Sequence, residues 1–532
     1  MNSPSIRRPA PLVHSHHGKP LRGLMTTPSS PVFQGRFGRL FRSLPAAKYG
    51  KTDEDSRNAL MKLGELMTSS FDPPKDGFDA EESGIPALYT YFGQFIDHDI
   101  TFDPMTTLIK HSDPNGLTDF RTPAFDLDNV YGRGPDDQPY LYDNGPKFLL
   151  GDLLANGAPD LPRNNATPNR ALIGDPRNDE NNIVSQLQGL MLRFHNRFVD
   201  NNPTADFPAI QRMVRFHYQW IVLHDFLPRI VSSSVLDELK TDGEFDPDKL
   251  KFFHWKNEPF MPVEFSVAAY RLGHSMIRPG YRLNDDDATL LPIFPIPPGK
   301  IPEIPNGLPD GLTGFQRMAA NRGIDWGRFI DIDNRSYGTD KPTDATTKKR
   351  LQFAYRIDTS VVTPLSVLPD SVAHDKPPSL PQRNLIRSFE LALPSGQDVA
   401  RAMRVRELSD AEITIGKAVD KPDNTGEDPD IRGTIASLEE LKPFRGNCPL
   451  WTYILAEAFN NPTTDDIPVT EKKKIGTPQL GPVGGRIVAE VFLGLMFGDN
   501  DSYLHQHGHW QPIVTNKGEF RLKDLVKYAL GQ

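Results

Sequence analysis

The sequence predicts a mainly α-helical fold: a single large helical domain with long, irregular, proline-rich loops and little β-structure. Apolar residues recur at helical spacing in the most informative segments of the chain. Fifty of the 532 residues are proline, which favours irregular connections between helices. Hydrophobic residues make up 37% of the sequence and no internal repeat is visible, so the chain has the composition of a globular protein with a large core.

Helical spacing places nine helices along the chain, with ends that are uncertain by about two to four residues. They span residues 55–69, 86–98, 179–199, 207–227, 264–277, 315–329, 395–407, 449–459 and 480–497. The proline-rich stretch 290–309 is predicted to be a surface loop, because chemically informative segments lie on both sides of it. We therefore expect a basic arm over residues 1–50, the helical domain over 51–500 and a C-terminal extension over 501–532.

The charge of the chain is unevenly distributed. The first 50 residues carry eight Lys or Arg and no Asp or Glu, so the rest of the chain has a net charge of −17. Such an acidic body argues against nucleic acid as a partner. The arm lacks the apolar run of a secretory signal, and no uninterrupted apolar span could cross a bilayer. We expect a flexible or wrapping arm, with a transit peptide as the weaker alternative, in a protein that is cytoplasmic or exported by an unconventional route.

The single cysteine, Cys448, excludes an internal disulfide framework and a thiolate metal cluster. Stability must then come from packing, a bound metal or a cofactor. Four segments of the chain carry side chains suited to such ligands.

The first segment, 91–100, places Gln94, Asp97, His98 and Asp99 within one turn of an apolar helix. Gln94 and His98 are four residues apart and share one helix face. A histidine between two carboxylates is a candidate acid–base group, because either carboxylate tunes its proton affinity and fixes its orientation. The alternative is a core histidine that is satisfied by hydrogen bonds.

The second segment, 121–132, offers the oxygens of Thr122, Asp126 and Asp128 at alternating positions on a turn. Calcium takes six to eight oxygen ligands, including backbone carbonyls, so this spacing suits it. Asp99 could complete the site. A solvated acidic turn is the alternative.

The third segment places Arg177 and Glu180 three residues apart at the start of a helix, where they can face the same way. A structural ion pair would account for them. In a dry pocket, the fixed cation of Arg177 would instead stabilise an oxyanion.

The fourth segment, 265–277, is an apolar helix in which Ala268, Ala269 and Gly273 would let a flat ligand approach closely. An imidazole there, His274, is suited to binding a haem iron from one side. A packed core histidine is the alternative.

Together the four segments resemble the animal-type haem peroxidases of the peroxidase–cyclooxygenase superfamily, the group that includes myeloperoxidase, lactoperoxidase and peroxinectin. Gly-Gln-Phe-Ile-Asp-His-Asp at 93–99 looks like the distal histidine motif, Arg-Asn-Asp-Glu at 177–180 the distal arginine motif and Arg-Leu-Gly-His at 271–274 the proximal motif. Arg-Asn-Leu-Ile-Arg at 383–387 matches the segment whose asparagine contacts the proximal imidazole. The late helix at 480–486 looks like that of bacterial members, and the match covers roughly residues 18–500.

The resemblance implies a role for each matching residue. His274 would be the axial iron ligand, Asn384 would accept its other ring proton, and Arg271 would lie at the haem. His98 would move a proton on hydrogen peroxide, Arg177 would stabilise the developing negative charge, and Gln94 would order water or bind a small anion.

The resemblance also implies two kinds of ligand contact. Asp97 and Glu180 occupy the positions through which this family forms ester bonds to haem methyl groups, so haem b is expected and covalent attachment with it. The expected calcium ligands are Asp99, Thr122, the carbonyl of Ala124, Asp126 and Asp128.

The implied function is a peroxidase that uses hydrogen peroxide to oxidise small donors, such as halides, thiocyanate or phenols, through a ferryl intermediate. One alternative is a fatty-acid dioxygenase of the same superfamily, but those enzymes place a tyrosine where this chain has Arg271, and cyclooxygenases lack the arginine present here as Arg177. Another is an adhesion protein similar to peroxinectin, in which the basic arm or the histidines at 505–509 would make the contacts. The sequence leaves the donor and the oligomeric state open.

Overall fold

The computed structural model describes residues 37–101, 121–333, 335, 348–417, 431–463, 467–468, 474–506, 509–514 and 519–532, except 75, 78, 144, 334, 371 and 374–376. Most of the predicted basic arm and His507 of the histidine-rich tail lie outside these residues. Within them the predicted mainly α-helical fold with long irregular connections is confirmed. No helix of the described residues combines the length and the apolar character needed to span a bilayer.

Helices form most of the regular structure. They are α1 (Asp53–Leu66), α2 (Leu88–Ile100), α3 (Asp128–Tyr131), α4 (Asn182–Asn201), α5 (Phe207–Ile221), α6 (Leu227–Ile230), α7 (Ser233–Asp237), α8 (Val263–Ser266), α9 (Leu380–Glu390), α10 (Gly396–Met403), α11 (Leu450–Phe459), α12 (Gly484–Gly498), α13 (Tyr503–Gln506) and α14 (Leu522–Leu530). A π-helical turn over Val222–Phe226 joins α5 to α6.

The strands are short and pair two by two. They are β1 (Phe37–Gly38), β2 (Glu82–Pro86), β3 (Lys240–Thr241), β4 (Glu244–Phe245), β5 (Met261–Pro262), β6 (Gly280–Tyr281), β7 (Leu291–Pro292), β8 (Phe353–Tyr355), β9 (Thr414–Gly416), β10 (Ile431–Thr434), β11 (Ile467–Pro468) and β12 (Lys474–Ile475). β1 pairs with β5 in parallel, and the pairs β2–β8, β3–β4, β6–β7, β9–β10 and β11–β12 are antiparallel. The β2–β8 pair is buried, and none of the described sheets has more than two strands.

The helix predicted over residues 315–329 is wrong. Only two short 3₁₀ turns form there, Ala320–Arg322 and Trp326–Arg328. Phe315 has a left-handed φ of 59°, and the backbone N–H of Asp325 donates to the carbonyl of Leu283, a distant residue, instead of to its own turn. The apolar spacing in this segment reflects burial in the core and not a helix.

The predicted helix over residues 264–277 is interrupted. It consists of α8 and a separate 3₁₀ turn, Ala269–His274, because Ala268 leaves the helical region with φ −132° and ψ −75°. Helix α9 was not predicted, although its Asn384 was singled out, because its polar residues hide the apolar spacing. Pro381 lies in its first turn, a position that tolerates proline.

Four helices position the elements that matter for function. Helix α2 packs against α4 and also contacts the Ala269–His274 turn. Helix α11 packs against that turn, and the Nε1–H of its Trp451 donates to the carbonyl of Arg271 at 3.2 Å. Helix α9 adds a bond from Ser388 Oγ to the carbonyl of Val267 at 3.2 Å.

Two histidines lie fully buried in the helical core and are neutral there. His195 Nε2–H donates to the carbonyl of Pro146 at 2.8 Å, and its Nδ1 accepts from the Tyr131 hydroxyl at 2.9 Å. His217 Nδ1–H donates to the carbonyl of Met213, while its Nε2 accepts from a backbone N–H. Burial lowers the pKa of each ring to about 4. A second ring proton would break an existing hydrogen bond in both cases.

We expect these histidines to make the protein acid-sensitive. Their unfolded pKa is about 6.5, so between pH 6.5 and 4 the unfolded chain binds more protons, and stability that is complete above pH 6.5 is lost as the pH falls. Each ring should contribute about 3 kcal/mol to that loss by pH 4. The free energy of unfolding in urea, compared between pH 7.5 and 5, should fall less in His195→Gln than in the wild type. His254→Gln, at an exposed histidine, is the control. If the free energy of unfolding fell equally in His195→Gln and the wild type, this explanation would be contradicted.

Candidate active site

One cavity is lined by predicted site residues from four parts of the chain, at 94–98, 177–180, 271–274 and 384. It has a volume of about 440 Å³. Its walls are α2, the segment from Arg177 to Asn181, the Ala269–His274 turn and α9. The predicted residues that line it are Gln94, Asp97, His98, Arg177, Glu180, Arg271, His274 and Asn384.

His98 is buried and held by a chain of two amides. Its Nδ1 lies 2.7 Å from Asn178 Oδ1, and Asn178 Nδ2–H in turn donates to Gln188 Oε1 at 2.8 Å. Because Asn178 presents an acceptor, His98 carries its proton on Nδ1 and leaves Nε2 as a proton acceptor. Burial, together with the nearby Arg177 guanidinium, lowers the pKa of His98 to about 4.

Arg177 is anchored to the same helix that carries His98. Its Nη2 donates to the carbonyls of His98 at 3.1 Å and Thr101 at 2.6 Å, and to the carboxylate of Asp175 at 2.9 Å. Asp175 also begins the 3₁₀ turn Pro176–Asp179 by accepting from the Arg177 backbone N–H. Burial acts to raise the pKa of Asp175, but the guanidinium groups of Arg177 and Arg121 hold it well below its usual range.

The two predicted ester-forming carboxylates both line the cavity, in different surroundings. Glu180 Oε2 accepts from Gln94 Nε2 at 3.0 Å, and burial raises the pKa of Glu180 to about 7. Asp97 Oδ1 accepts from the Thr101 hydroxyl at 3.1 Å. Gln94 also accepts from Asn181 at 3.3 Å, so both ends of its amide are engaged with protein. Gln94 therefore orients Glu180, a role that the sequence did not suggest.

His274 lies on the opposite segment and contacts Asn384. The Asn384 amide is 2.7 Å from His274 Nδ1 and presents its nitrogen, the reverse of the predicted bond. The donor and acceptor ends of an amide are nearly equal in size, so a half-turn of the side chain exchanges them. Burial, together with Arg271, lowers the pKa of His274 to about 3, so the ring is neutral.

The turn that bears His274 leaves room beside the ring. A Cβ added to Gly273 would meet no atom within 4 Å. Arg271 donates from Nε to the carbonyl of Ser266 at 2.8 Å, and the Tyr270 hydroxyl donates to the carbonyl of Gly93 at 3.3 Å. The Tyr270 bond joins the turn directly to α2.

The predicted calcium ligands partly assemble next to this cavity. Carboxylate oxygens of Asp99, Asp126 and Asp128 all lie within 4.8 Å of one another. Neither carboxylate oxygen of Asp99 has a hydrogen-bond partner although the residue is fully buried. Burial and the neighbouring carboxylates raise the pKa of Asp99 and Asp126 well above the usual range, and burial raises that of Asp128 to about 7. Thr122 and Ala124 lie on the loop that leads into Asp126.

The sequence did not reveal three residues of this region: Asn178, Gln188 and Asp175. Asp175 was detectable, because Asp before Pro is a common start of a helical turn. Asn178 directly follows Arg177, but nothing in its spacing shows that it faces a histidine 80 positions earlier.

Comparisons with known proteins found a matching family model and similar folds. The model of the animal haem peroxidase family matches residues 109–293. Peroxidase A from Dictyostelium discoideum is 17% identical and shares the fold, with a TM-score of 0.55 over 88% of each chain. The fatty acid alpha-dioxygenase of Oryza sativa is 14% identical, with a TM-score of 0.46 over 89% of this chain and 77% of that chain. The Arabidopsis thaliana fatty acid alpha-dioxygenase is 13% identical, with a TM-score of 0.48 over 91% and 74%.

No curated protein matches the sequence. The animal haem peroxidase model covers about a third of the chain, and the Dictyostelium peroxidase shares its fold.

Proposed function

We propose that the protein is a haem peroxidase that uses hydrogen peroxide to oxidise small donors such as halides, thiocyanate or phenols. The observation that carries the proposal is one cavity lined by two neutral imidazoles on different segments, with the guanidinium group of Arg177 beside His98. His274 would hold the haem iron, and His98 with Arg177 would supply proton transfer and charge stabilisation. The dioxygenase alternative lacks its tyrosine, because Arg271 lies at that position.

The side chains of the cavity fit haem. Among the described lining residues, four are cationic and two are acidic: Arg177, Arg271, Arg383, Arg387, Asp97 and Glu180. Arg177 already pairs with Asp175, so the other arginines are the candidate partners of a negatively charged ligand, such as haem with its two propionates. The open side of Gly273 gives a flat ring room next to His274, and a neutral imidazole is the form that binds iron.

When bound, haem would supply the redox-active iron at which peroxide is reduced and donors are oxidised. His274 would hold that iron through Nε2, which requires the ring proton on Nδ1. Asn384 would accept this proton through Oδ1 after a half-turn of its amide. Such a bond fixes the orientation of the imidazole and makes it a stronger ligand.

On the other wall, His98 Nε2 takes a proton from hydrogen peroxide and returns it to the oxygen that leaves as water. Asn178 keeps the ring in the tautomer that this transfer needs, because its carbonyl holds the Nδ1 proton. Arg177 faces the same space with a fixed positive charge. One well-placed donor of this kind typically contributes about 3–4 kcal/mol to stabilising a developing negative charge.

Asp97 and Glu180 would attach the haem covalently. Both carboxylates line the cavity, and Gln94 fixes the orientation of Glu180. Each ester would replace a methyl C–H bond of the haem by a C–O bond, a two-electron oxidation that hydrogen peroxide supplies.

A calcium ion would bind between Asp99, Asp126 and Asp128, with Thr122 and the Ala124 carbonyl as further ligands. The chemistry of the site supports this assignment, because two buried carboxyl groups and the half-buried Asp126 repel one another and Asp99 has no hydrogen-bond partner. Calcium next to His98 would fix the end of α2.

Loss of the acid–base group tests the peroxidase function. His98→Gln should lower peroxide-dependent oxidation of iodide or guaiacol by about 10²–10⁴-fold, because general acid–base catalysis contributes that much. His254→Gln, at an exposed histidine, is the control. Asn178→Leu should cost about 10–100-fold, as loss of an orienting partner does, while Asn178→Asp keeps an acceptor and should lose less. Unchanged turnover in His98→Gln with normal haem absorbance would exclude the proposed role.

Covalent attachment is tested by extraction. After exposure to peroxide, the wild type should keep its pigment in acidified organic solvent, and so should Asp97→Asn or Glu180→Gln alone, because one ester remains. The double variant should release all of its haem. Complete release from the wild type would show that no ester forms.

Metal removal tests the calcium site. A chelator should lower the melting temperature of the wild type, because an ion that binds only the folded state stabilises it by about 2.7 kcal/mol at 100 times its dissociation constant. Asp126→Asn should melt lower and respond less to the chelator, while Asp331→Ala, at an exposed carboxylate, should respond like the wild type. If the melting temperature of the wild type did not change with the chelator, the calcium assignment would be wrong.

A further inference from the structure

A second cavity lies outside the site described above. It has a volume of about 680 Å³ and is lined by residues of the π-helical turn, α6, α7 and the β3–β4 hairpin. His224, Arg229, Lys240 and Phe245 are among its lining residues. None of them takes part in the proposed peroxide chemistry.

One tyrosine connects the two cavities. Tyr89 lines the first cavity from α2 and is only 2% exposed. Its hydroxyl donates to Asp225 Oδ2 at 2.6 Å, and Asp225 Oδ1 accepts from Arg229 Nε at 3.0 Å. The Arg229 guanidinium lies 4.3 Å above the centre of the Tyr89 ring and also lines the second cavity.

The π-helical turn explains how this connection arises. It contains the adjacent residues His224 and Asp225, whose side chains contact different neighbours. His224 lines the second cavity, while Asp225 contacts Tyr89 and is fixed by a further bond from the Leu522 N–H at 2.8 Å. Such single π-helical turns occur often at functional sites.

The surroundings of Tyr89 favour loss of an electron together with a proton. A guanidinium above the ring disfavours a positively charged ring, so the electron leaves readily only if the phenolic proton leaves as well. Asp225 is a carboxylate at hydrogen-bond distance and can take that proton.

We propose that Tyr89 relays electrons from an aromatic donor in the second cavity to the haem cavity. The proposal rests on the proposed peroxidase function, which supplies the oxidant. Tyr89 gives one electron to the peroxide-oxidised cofactor, its O–H bond breaks, and the proton moves to Asp225, which leaves a neutral tyrosyl radical. The donor then gives one electron to that radical, Asp225 returns the proton, and the donor leaves as its one-electron oxidation product. Two such cycles use one peroxide.

The second cavity fits a neutral aromatic donor, such as a bulky phenol or arylamine. Phe245 and His224 offer ring faces, and the Trp220 ring stacks on His224 with centroids 3.9 Å apart. Two cations are balanced by acidic groups, since Lys240 pairs with Asp237 and Arg229 with Asp225. Glu244 is the remaining charged group of the lining, so the cavity does not favour an anionic donor.

Binding is tested first, without turnover. Tetramethylbenzidine added to the resting holoenzyme should quench the fluorescence of Trp220, and the quenching should disappear in Trp220→Phe. Phe245→Ala should weaken the binding at least fivefold. Equal quenching in the wild type and Trp220→Phe would show that the donor does not bind in this cavity.

The relay is tested by electron paramagnetic resonance and by a ratio of rates. One equivalent of peroxide without donor should give a tyrosyl radical in the wild type that is lost in Tyr89→Phe and kept in Tyr91→Phe; Tyr91 is equally buried, but its hydroxyl has no carboxylate partner. The rate of tetramethylbenzidine oxidation relative to iodide oxidation should fall at least tenfold in Tyr89→Phe.

A wild type that oxidises iodide, but whose radical and rate ratio are unaffected by Tyr89→Phe, would overturn the relay and leave the peroxidase function intact. A wild type that oxidises neither donor with peroxide would overturn both proposals.

Discussion

The connection between the end of α2 and the segment 175–180 is the constraint on which the site depends. Arg177 bonds to the carbonyls of His98 and Thr101, and Asn178 bonds to the His98 ring. Two adjacent side chains thus hold the backbone of the helix and the imidazole it carries. Asp175 fixes Arg177 in turn, so the guanidinium is pre-positioned in the cavity. Pre-positioned charge is effective because the protein does not reorganise around it during the reaction.

The opposite wall is built differently. His274 lies on a short 3₁₀ turn that has few hydrogen bonds of its own, so neighbouring helices hold it. Trp451 donates a hydrogen bond to the turn, and Ser388 of α9 donates one to the carbonyl of Val267 just before the turn. The Tyr270 hydroxyl joins the turn to α2. The distance between the two walls is therefore set by tertiary packing and not by one continuous element. Burial on both walls keeps the two imidazoles neutral, as proton transfer at one and metal binding at the other require.

Buried charge in this region is concentrated where a ligand would compensate it. Asp99 directly follows His98, yet its side chain belongs to the acidic cluster with Asp126 and Asp128. Helix α2 therefore separates a cavity with excess positive charge from a cluster with excess negative charge. The N-terminal end of the same helix carries Tyr89, whose hydroxyl donates to Asp225 and whose ring contacts Arg229, a lining residue of the second cavity. This helix of thirteen residues thus contributes to the main cavity and to the acidic cluster, and it is linked to the second cavity through Tyr89 and Arg229.

Local patterns along the chain predict the helical fold, the order of the motifs and several of the residues that line the main cavity. Those features depend on local patterns: apolar spacing marks α2, α4 and α12, and short motifs mark His98, Arg177 and His274. The pattern failed at residues 315–329, where apolar residues are buried without forming a helix.

Which residues meet across long separations depends on the packing of the whole chain. The bonds from His98 to Asn178, from Gln94 to Glu180 and from Tyr89 to Asp225 join residues 80, 86 and 136 positions apart. Spacing along a chain predicts which side chains share a helix face, because a helix repeats every few residues. It carries no information on how two helices approach each other, and that approach determines each hydrogen-bond partner.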